Sequence, residues 1–167
     1  MAHPTLSFDE PVEWQDLIDH PALEDVPFKI ELDERGCIVL ASPFSVQRGR
    51  MKARLARALD AACGDVVTFD AAVPMGRGVC VADVAWTEPS FFSEHEDGIL
   101  FPTAPPICAE IKSPSNTEAE MEEKVTLYLA KGATEVWICD LEGRVTFFGH
   151  EGERGRSTLA PDFPSQI

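Results

Sequence analysis

The sequence predicts an α/β fold, in which a mixed β-sheet is flanked by α-helices, within a single domain spanning residues 1–167. Short strand-like runs recur along the whole chain, and two long amphipathic helices interrupt them. The chain is 167 residues long and 44% apolar, which is enough for one core and too little for two ordinary domains. Residues 1–8 precede the first predicted element and are expected to be flexible.

The first half of the chain is predicted to hold a short helix, a hairpin, a long helix and two strands. Residues 12–20 have apolar side chains at helical spacing, and a proline follows them. Residues 28–42 form two β-rich runs around "DERG", whose glycine suits a turn. An apolar stripe predicts a helix over 46–62. Strands are expected over 65–73 and 78–86, on either side of a turn at "PMGRG".

The second half is predicted to alternate strands with one helix. An irregular acidic loop over 88–105 leads into a strand over 106–112. The segment "SNTE" matches a capping box that would start a helix of about residues 117–131, which a glycine then closes. A hairpin over 134–150 follows. Strands interspersed with helices in this way favour a mixed sheet.

Cysteine and histidine spacing argues against two kinds of site. The five cysteines are scattered singly and form no C-x-x-C pair, so neither a zinc knuckle nor a disulfide framework is predicted. The four histidines show no metal-ligand spacing. No stretch approaches the roughly 20 apolar residues of a membrane span, and the first residues lack a signal-peptide pattern. We therefore expect a cytoplasmic protein with no membrane partner.

The charge of the chain is strongly negative but uneven. A formal net charge of -15 repels nucleic acid from most of the surface. The predicted helix over 46–62 is the exception, because its only acidic residue is Asp60. Its basic residues are Arg48, Arg50, Lys52, Arg54 and Arg57. This run is either a surface that contacts nucleic-acid phosphates or an ordinary solvated helix face, and both interpretations remain open.

Charged residues on two predicted strands point to a metal site. Glu110 and Lys112 are two residues apart and therefore share one face of their strand. Asp83 is the only charge in its apolar strand, and it joins Glu110 and Lys112 if the two strands are neighbours. Two carboxylates and the carbonyl of Ile111 are oxygen ligands suited to Mg²⁺ or Mn²⁺. Such an ion polarises a phosphoryl oxygen and activates water, which Lys112 would orient.

The order of these residues resembles a known superfamily. An aspartate separated by twenty-six residues from a following Glu-x-Lys is similar to the PD-(D/E)xK nucleases, which have the restriction-endonuclease-like fold. The segments "FKIEL", "ADVAW", "ICAEIKSPSNT" and "EEKVTLYLAKGATEVWICD" follow one another as in the Uma family of bacterial restriction endonucleases. The resemblance covers residues 12–165. It implies a metal-dependent DNA endonuclease with Asp83 and Glu110 as metal ligands and Lys112 as the catalytic lysine.

The same resemblance draws in three further residues. Glu31 would reach the site from the first strand, and Lys124 and Tyr128 would reach it from the helix after the catalytic strand. Lys124 and Tyr128 are four residues apart, so they lie on one helix face. Where relatives lack a lysine at the position of Lys112, Lys124 can take its role. This chain has both lysines, and we rank Lys112 first.

Two departures from the family pattern bear on function. Ala82 stands where the family usually has a proline, and Gln47 or Arg48 must replace a histidine of the second helix. Two functions therefore stay open. The first is a Mg²⁺- or Mn²⁺-dependent DNA endonuclease, in which the basic helix, and a second subunit in a homodimer, guide the duplex. The second is a catalytically silent nuclease-like fold that acts as a protein-interaction module.

The individual residues also have structural interpretations. A buried aspartate such as Asp83 is often a turn or cap residue. Glu110 and Lys112 could form a surface ion pair on an edge strand, and Lys124 could belong to a pair on the helix surface. Tyr128 could simply be a core residue. For the structural interpretations to be correct, all of them would have to apply at once, in a chain whose segments also follow the order seen in the Uma family.

Overall fold

The computed structural model describes residues 12–24, 26–43, 45–64 and 66–167. The expected flexibility of residues 1–8 lies outside these ranges. The helices are α1 (Trp14–Ile18), α2 (Val46–Cys63), α3 (Pro89–Ser93) and α4 (Glu118–Ala130). The strands are β1 (Phe28–Leu32), β2 (Ile38–Pro43), β3 (Val66–Met75), β4 (Gly78–Thr87), β5 (Ile107–Ile111), β6 (Glu135–Cys139), β7 (Val145–Gly149) and β8 (Gly152–Arg154).

The strands form one mixed sheet with the order β2-β1-β4-β5-β6-β7-β8, and β3 pairs with β4 beside this path. Strands β5 and β6 are parallel, with α4 as their crossover, and the other pairs are antiparallel. The predicted α/β class, with a mixed sheet flanked by helices, is confirmed.

Strand β4 has a gap along one of its two edges. Strand β3 pairs with it over its whole length, and so occupies the other edge. Strands β1 and β5 must share the remaining edge: β1 through the pair Leu32↔Val79, and β5 through the residues from Val84 onward. At the β1 end the backbones approach closely, because a Cβ on Gly78 would lie 2.6 Å from the carbonyl oxygen of Leu32. Between Val79 and Val84, none of the described strands pairs with this edge.

Helices cover the two faces of the sheet. Helix α2 packs its apolar stripe, including Leu55 and Leu59, against a core that contains Val84, Ile107 and Trp137. Helix α4 contributes Tyr128 to a second core with Cys108, Ala85 and Val136. A third cluster joins α1 to the start of β4 through Leu17, Val79 and Val81. The gap in the β4 edge therefore lies between two helix-covered layers.

Side-chain alternation along β4 changes at Asp83. Cys80 and Ala82 pack in the core of α4, whereas Val84, two residues further, packs in the core of α2. The residue across from Asp83 in the β3 register is Asp70, which has φ 52° and is skipped in the pairing. Period-two alternation along a strand predicts that residues 79, 81, 83 and 85 share one face, and this prediction is wrong. Asp83 contacts Lys29 of β1 and Arg48 of α2.

Several local predictions also need correction. The loop predicted over 88–105 contains the short helix α3, and strand β8 was not predicted. The capping box of α4 is formed by Thr117 and Glu120, two residues later than the "SNTE" match. Pro74 belongs to β3 and not to a turn. Among the described strands β3 pairs with β4 alone, and an edge strand tolerates proline, which cannot donate to a neighbour.

The five cysteines are free thiols, and Cys37 among them is exposed. No helix within the described ranges is long and apolar enough to cross a membrane.

Candidate active site

Charged side chains complete the unpaired edge of β4. The backbone N–H of Val81 donates to Glu31 Oε1 at 2.9 Å, and its carbonyl oxygen accepts from Lys29 Nζ at 2.8 Å. Lys29 and Glu31 are both buried, at 6% exposed each. A buried backbone group without a partner costs free energy, so these two side chains replace the missing strand. Lys29 and Glu31 are therefore needed to satisfy the backbone of β4, whatever else they do in the site.

Lys29 also bridges the carboxylates of the site. Its Nζ lies 3.2 Å from Asp83 Oδ1, 2.9 Å from Glu110 Oε2 and 3.6 Å from Glu31 Oε1. The sequence analysis did not single out Lys29. A signal was present, because Lys29 and Glu31 are two residues apart on a predicted strand and so share a face.

Asp83 is held by two further groups. Its Oδ2 accepts the backbone N–H of Ile111 at 2.7 Å and pairs with the guanidinium of Arg48. Burial alone would raise the pKa of Asp83, but Lys29, Arg48 and the Ile111 N–H outweigh burial and hold this pKa well below its ordinary value. Asp83 is therefore an ionised carboxylate at neutral pH.

Arg48 belongs to this cluster and not to the surface of α2. It is 5% exposed, and its Nη1 donates to the carbonyl oxygen of Ile111 at 2.6 Å. The structure thus places Arg48 away from the predicted role of a phosphate contact. The Ile111 carbonyl, predicted as a third metal ligand, instead accepts a hydrogen bond from the Arg48 guanidinium.

Glu110 receives its other contacts from α4. Its Oε1 accepts from Tyr128 Oη at 2.8 Å and from Lys124 Nζ at 3.1 Å, and Lys124 also donates to Glu31 Oε1 at 2.7 Å. Burial is the largest influence on Glu110, and it raises the pKa of this carboxyl despite Lys124 and Lys29. Burial would lower the pKa of Lys124, but Glu110 and Glu31 outweigh burial and raise it.

Three buried carboxylates thus meet three cations, and their formal charges cancel. We call this group the charge cluster: Glu31, Asp83, Glu110, Lys29, Arg48 and Lys124. Of the residues predicted for the site, the structure brings together Glu31, Asp83, Glu110, Lys124 and Tyr128.

Lys112 does not join the charge cluster. Its ammonium group pairs with Glu118 in the first turn of α4, and its side chain is 28% exposed. Strand β5 ends at Ile111, so the alternation that would turn Lys112 towards Glu110 does not continue to it. The expected convergence of Glu110 and Lys112 is therefore wrong, and Lys124 occupies the position next to Glu110.

The oxygen atoms at this site have the chemistry that a hard divalent cation requires. Asp83 and Glu110 each direct one carboxylate oxygen at the same point, where the ammonium of Lys29 lies. Among the described residues, no group of three or more His, Cys, Asp or Glu side chains is arranged to hold a metal ion. The ammonium of Lys29 therefore holds the point where the Asp83 and Glu110 carboxylates meet.

A cleft of about 860 Å³ opens beside the charge cluster, between the β1–β2 hairpin and α4. Glu31, Glu110 and Lys124 line it, so part of the charge cluster is accessible from this side. Its other charged lining residues are mostly acidic: Asp33, Glu34, Glu120 and Glu123, with Arg35 as the other basic residue. A polyanion entering this cleft would meet repulsion unless a cation entered with it.

The basic residues of α2 are not part of this cleft. Helix α2 packs against the core opposite to that of α4. Arg50 and Arg57 are exposed and Arg54 is half-buried, whereas Lys52 Nζ pairs with Asp70 at 2.7 Å. Arg50 and Arg57 are thus the members of the predicted phosphate-contacting run that are most available to a ligand.

Comparisons with known proteins agree with this architecture. The sequence profile of the Uma2 family, described as "Putative restriction endonuclease", matches residues 14–164. The crystal structure of a "putative nuclease belonging to DUF820" from Anabaena variabilis ATCC 29413 matches with a TM-score of 0.71 and 15% sequence identity, covering 90% of this chain and 93% of that chain. At this identity the second match shows the fold alone. No curated protein matches this chain.

Proposed function

Because this chain belongs to the Uma2 family of restriction endonucleases, we propose that it is a Mg²⁺- or Mn²⁺-dependent DNA endonuclease that hydrolyses phosphodiester bonds at the charge cluster. Family membership supports a nuclease function in general. The observation that supports this site is that Asp83 and Glu110, both 1% exposed, direct carboxylate oxygens at one shared cation. The requirement for a homodimer stays a prediction.

In this proposal Asp83 and Glu110 hold the metal ion. The bound ion would polarise a phosphoryl oxygen and lower the pKa of a water molecule. Arg48 and the Ile111 N–H fix the orientation of Asp83 by holding its second oxygen. Tyr128 positions Glu110 in the same way, through Oε1.

Lys124 is the lysine best placed to act on the substrate. It lines the cleft and contacts Glu110 and Glu31, so its ammonium can stabilise negative charge that develops on a phosphate beside Glu110. Glu31 keeps Lys124 in position and charged. Lys112 follows the last residue of β5 and pairs with Glu118, so Lys124 replaces it as the first candidate for the catalytic lysine.

Plasmid nicking tests the proposal. Supercoiled DNA should be nicked only with Mg²⁺ or Mn²⁺, and Asp83→Asn should lower the nicking rate by about a hundredfold or more because one metal ligand loses its charge. Asp70→Asn is the matched control: Asp70 is exposed, pairs with Lys52, and has a positive φ that asparagine tolerates. Nicking that needs no metal, or that survives Asp83→Asn, would contradict this site.

A catalytically silent nuclease-like fold, acting as a protein-interaction module, is the second candidate. It is favoured by the charge balance of the cluster, since Lys29 and Arg48 already neutralise Asp83. The acidic lining of the cleft favours it as well. Under this alternative, neither the wild type nor Asp83→Asn nicks plasmid DNA in the presence of Mg²⁺ or Mn²⁺.

The exposed arginines of α2 give a separate test of DNA binding. If they contact phosphates, the double variant Arg50→Gln/Arg57→Gln should reduce the slope of log affinity against log salt by about 2, since each phosphate contact contributes about 0.9. The control is Arg156→Gln, which removes an exposed arginine outside α2. Fluorescence anisotropy over a salt series measures the slope. An unchanged slope would mean that this helix face is only solvated.

A further inference from the structure

We propose that Lys29 is an exchangeable counter-ion, whose ammonium occupies the place of the divalent cation and moves aside when the cation binds. This inference rests on the proposed function only in taking Asp83 and Glu110 as the metal ligands. It concerns how the site admits a metal, and it assigns to Lys29 a role that is distinct from hydrolysis.

The first argument is position. Lys29 Nζ contacts Asp83 Oδ1 and Glu110 Oε2 at 3.2 and 2.9 Å, so one ammonium joins the two carboxylates. Mg²⁺ needs its oxygen ligands at about 2.0–2.1 Å, which is closer than an ammonium allows. The ammonium and the metal therefore cannot share this place.

The second argument is charge. The charge cluster is neutral with Lys29 in place, and a divalent ion added to it would leave two uncompensated positive charges in a buried site. Moving the ammonium of Lys29 away from Asp83 and Glu110 relieves the nearest part of this repulsion. Arg48 does not have to move, because it holds the other oxygen of Asp83.

The third argument is that the Lys29 ammonium has other acceptors within reach. Besides the two proposed ligands, its ammonium contacts the carbonyl oxygen of Val81 at 2.8 Å and Glu31 Oε1 at 3.6 Å. A small shift towards Glu31 keeps the ammonium hydrogen-bonded and paired while it releases Asp83 and Glu110. The exchange therefore does not strand the buried ammonium of Lys29 without a carboxylate partner.

The test is the affinity for Mn²⁺, measured by calorimetry on the full chain without DNA. Lys29→Gln removes the charge, while the new amide can still donate to the Val81 carbonyl. We expect this variant to bind Mn²⁺ about tenfold more tightly or better, because like charges a few ångströms apart repel strongly in a buried site. Lys52→Gln, which removes a lysine paired with Asp70, should leave the affinity unchanged. Equal, weaker or absent binding by a folded Lys29→Gln would overturn the inference.

A second measurement on the wild type covers the case in which Lys29→Gln does not fold. The ¹⁵N resonance of the Lys29 ammonium should shift and saturate during a Mg²⁺ titration, while that of Lys52 stays in place. A Lys29 resonance that does not respond to Mg²⁺ would overturn the inference.

Plasmid nicking by the wild type separates this inference from the proposed function. Tighter Mn²⁺ binding by Lys29→Gln, without nicking by the wild type, would support the exchange and contradict the nuclease. Nicking by the wild type, without tighter binding by the variant, would contradict only the exchange.

Discussion

Lys124→Met is expected to lower the free energy of unfolding by about 3–5 kcal/mol, because it removes one of the two cations that the buried carboxylates Glu31 and Glu110 share. Lys124 Nζ contacts both Glu31 Oε1 and Glu110 Oε1, and its side chain is 14% exposed. Methionine keeps most of the length and apolar volume of lysine, so the change removes charge more than packing. Urea denaturation at neutral pH measures the effect.

Lys112→Met is the matched control for this prediction. Its partner Glu118 is exposed, and an exposed ion pair contributes at most about 1 kcal/mol. If the two variants lost similar stability, the burial of Lys124 among carboxylates would not be what stabilises this region. The pair of variants also compares the two candidate lysines directly in the nicking assay, where Lys124→Met should lose more activity.

The effect of Lys124→Met also depends on pH, and its sign follows from Glu31. Burial would raise the pKa of Glu31, but Lys124 and Lys29 outweigh burial and lower it. A carboxylate with a lowered pKa stabilises the fold above its unfolded pKa of 4.5, and this stabilisation is lost as the pH falls. The loss of stability caused by Lys124→Met should therefore shrink when unfolding is measured below pH 4.5.

Glu135→Gln is expected to destabilise the protein by about 2–3 kcal/mol without affecting the charge cluster. Glu135 is fully buried, and its two oxygens accept from Trp137 Nε1 at 2.9 Å, from Ser157 Oγ at 2.6 Å, and from both the backbone N–H and the Oγ1 of Thr158 at 2.6 Å. Burial would raise the pKa of Glu135, but these donors outweigh burial and lower it. A glutamine would turn an NH₂ group towards donors, so at least one of them would lose its acceptor.

Thermal unfolding of Glu135→Gln measures this effect, and Glu151→Gln is its control. Glu151 is exposed and pairs with Arg154, so its replacement should change stability little. Plasmid nicking should be unchanged in Glu135→Gln at a temperature where the variant is folded. A loss of nicking in that folded variant would contradict the separation of Glu135 from the site.

The order of strands and the spacing of acidic residues predicted much of the candidate site. Asp83 and Glu110 lie on adjacent strands, as expected, and Glu31, Lys124 and Tyr128 contact the same cluster. The family resemblance implied Glu31, Lys124 and Tyr128. Periodicity adds that Glu110 lies inside a regular strand and that Lys124 and Tyr128 share one helix face.

The predictions that failed concern the ends of elements and irregular backbone. Lys112 follows the last residue of β5, where alternation no longer applies. The switch of faces at Asp83 depends on an unpaired residue in another strand, which a strand pattern does not show. Arg48 was grouped by its charge with the surface arginines, although it lies three residues before Met51 and seven before Leu55, on the apolar stripe of α2.

The gap in the β4 edge also affects the order in which the chain folds. Contacts that fill the gap join distant positions: Glu31 and Lys124 are 93 residues apart, and Lys29 and Glu110 are 81 apart. Closing loops of this length costs chain entropy before the contacts can stabilise anything. We therefore expect the charge cluster to form late, after the hairpin and α4 have docked. Its ion pairs should then slow unfolding more than they speed folding.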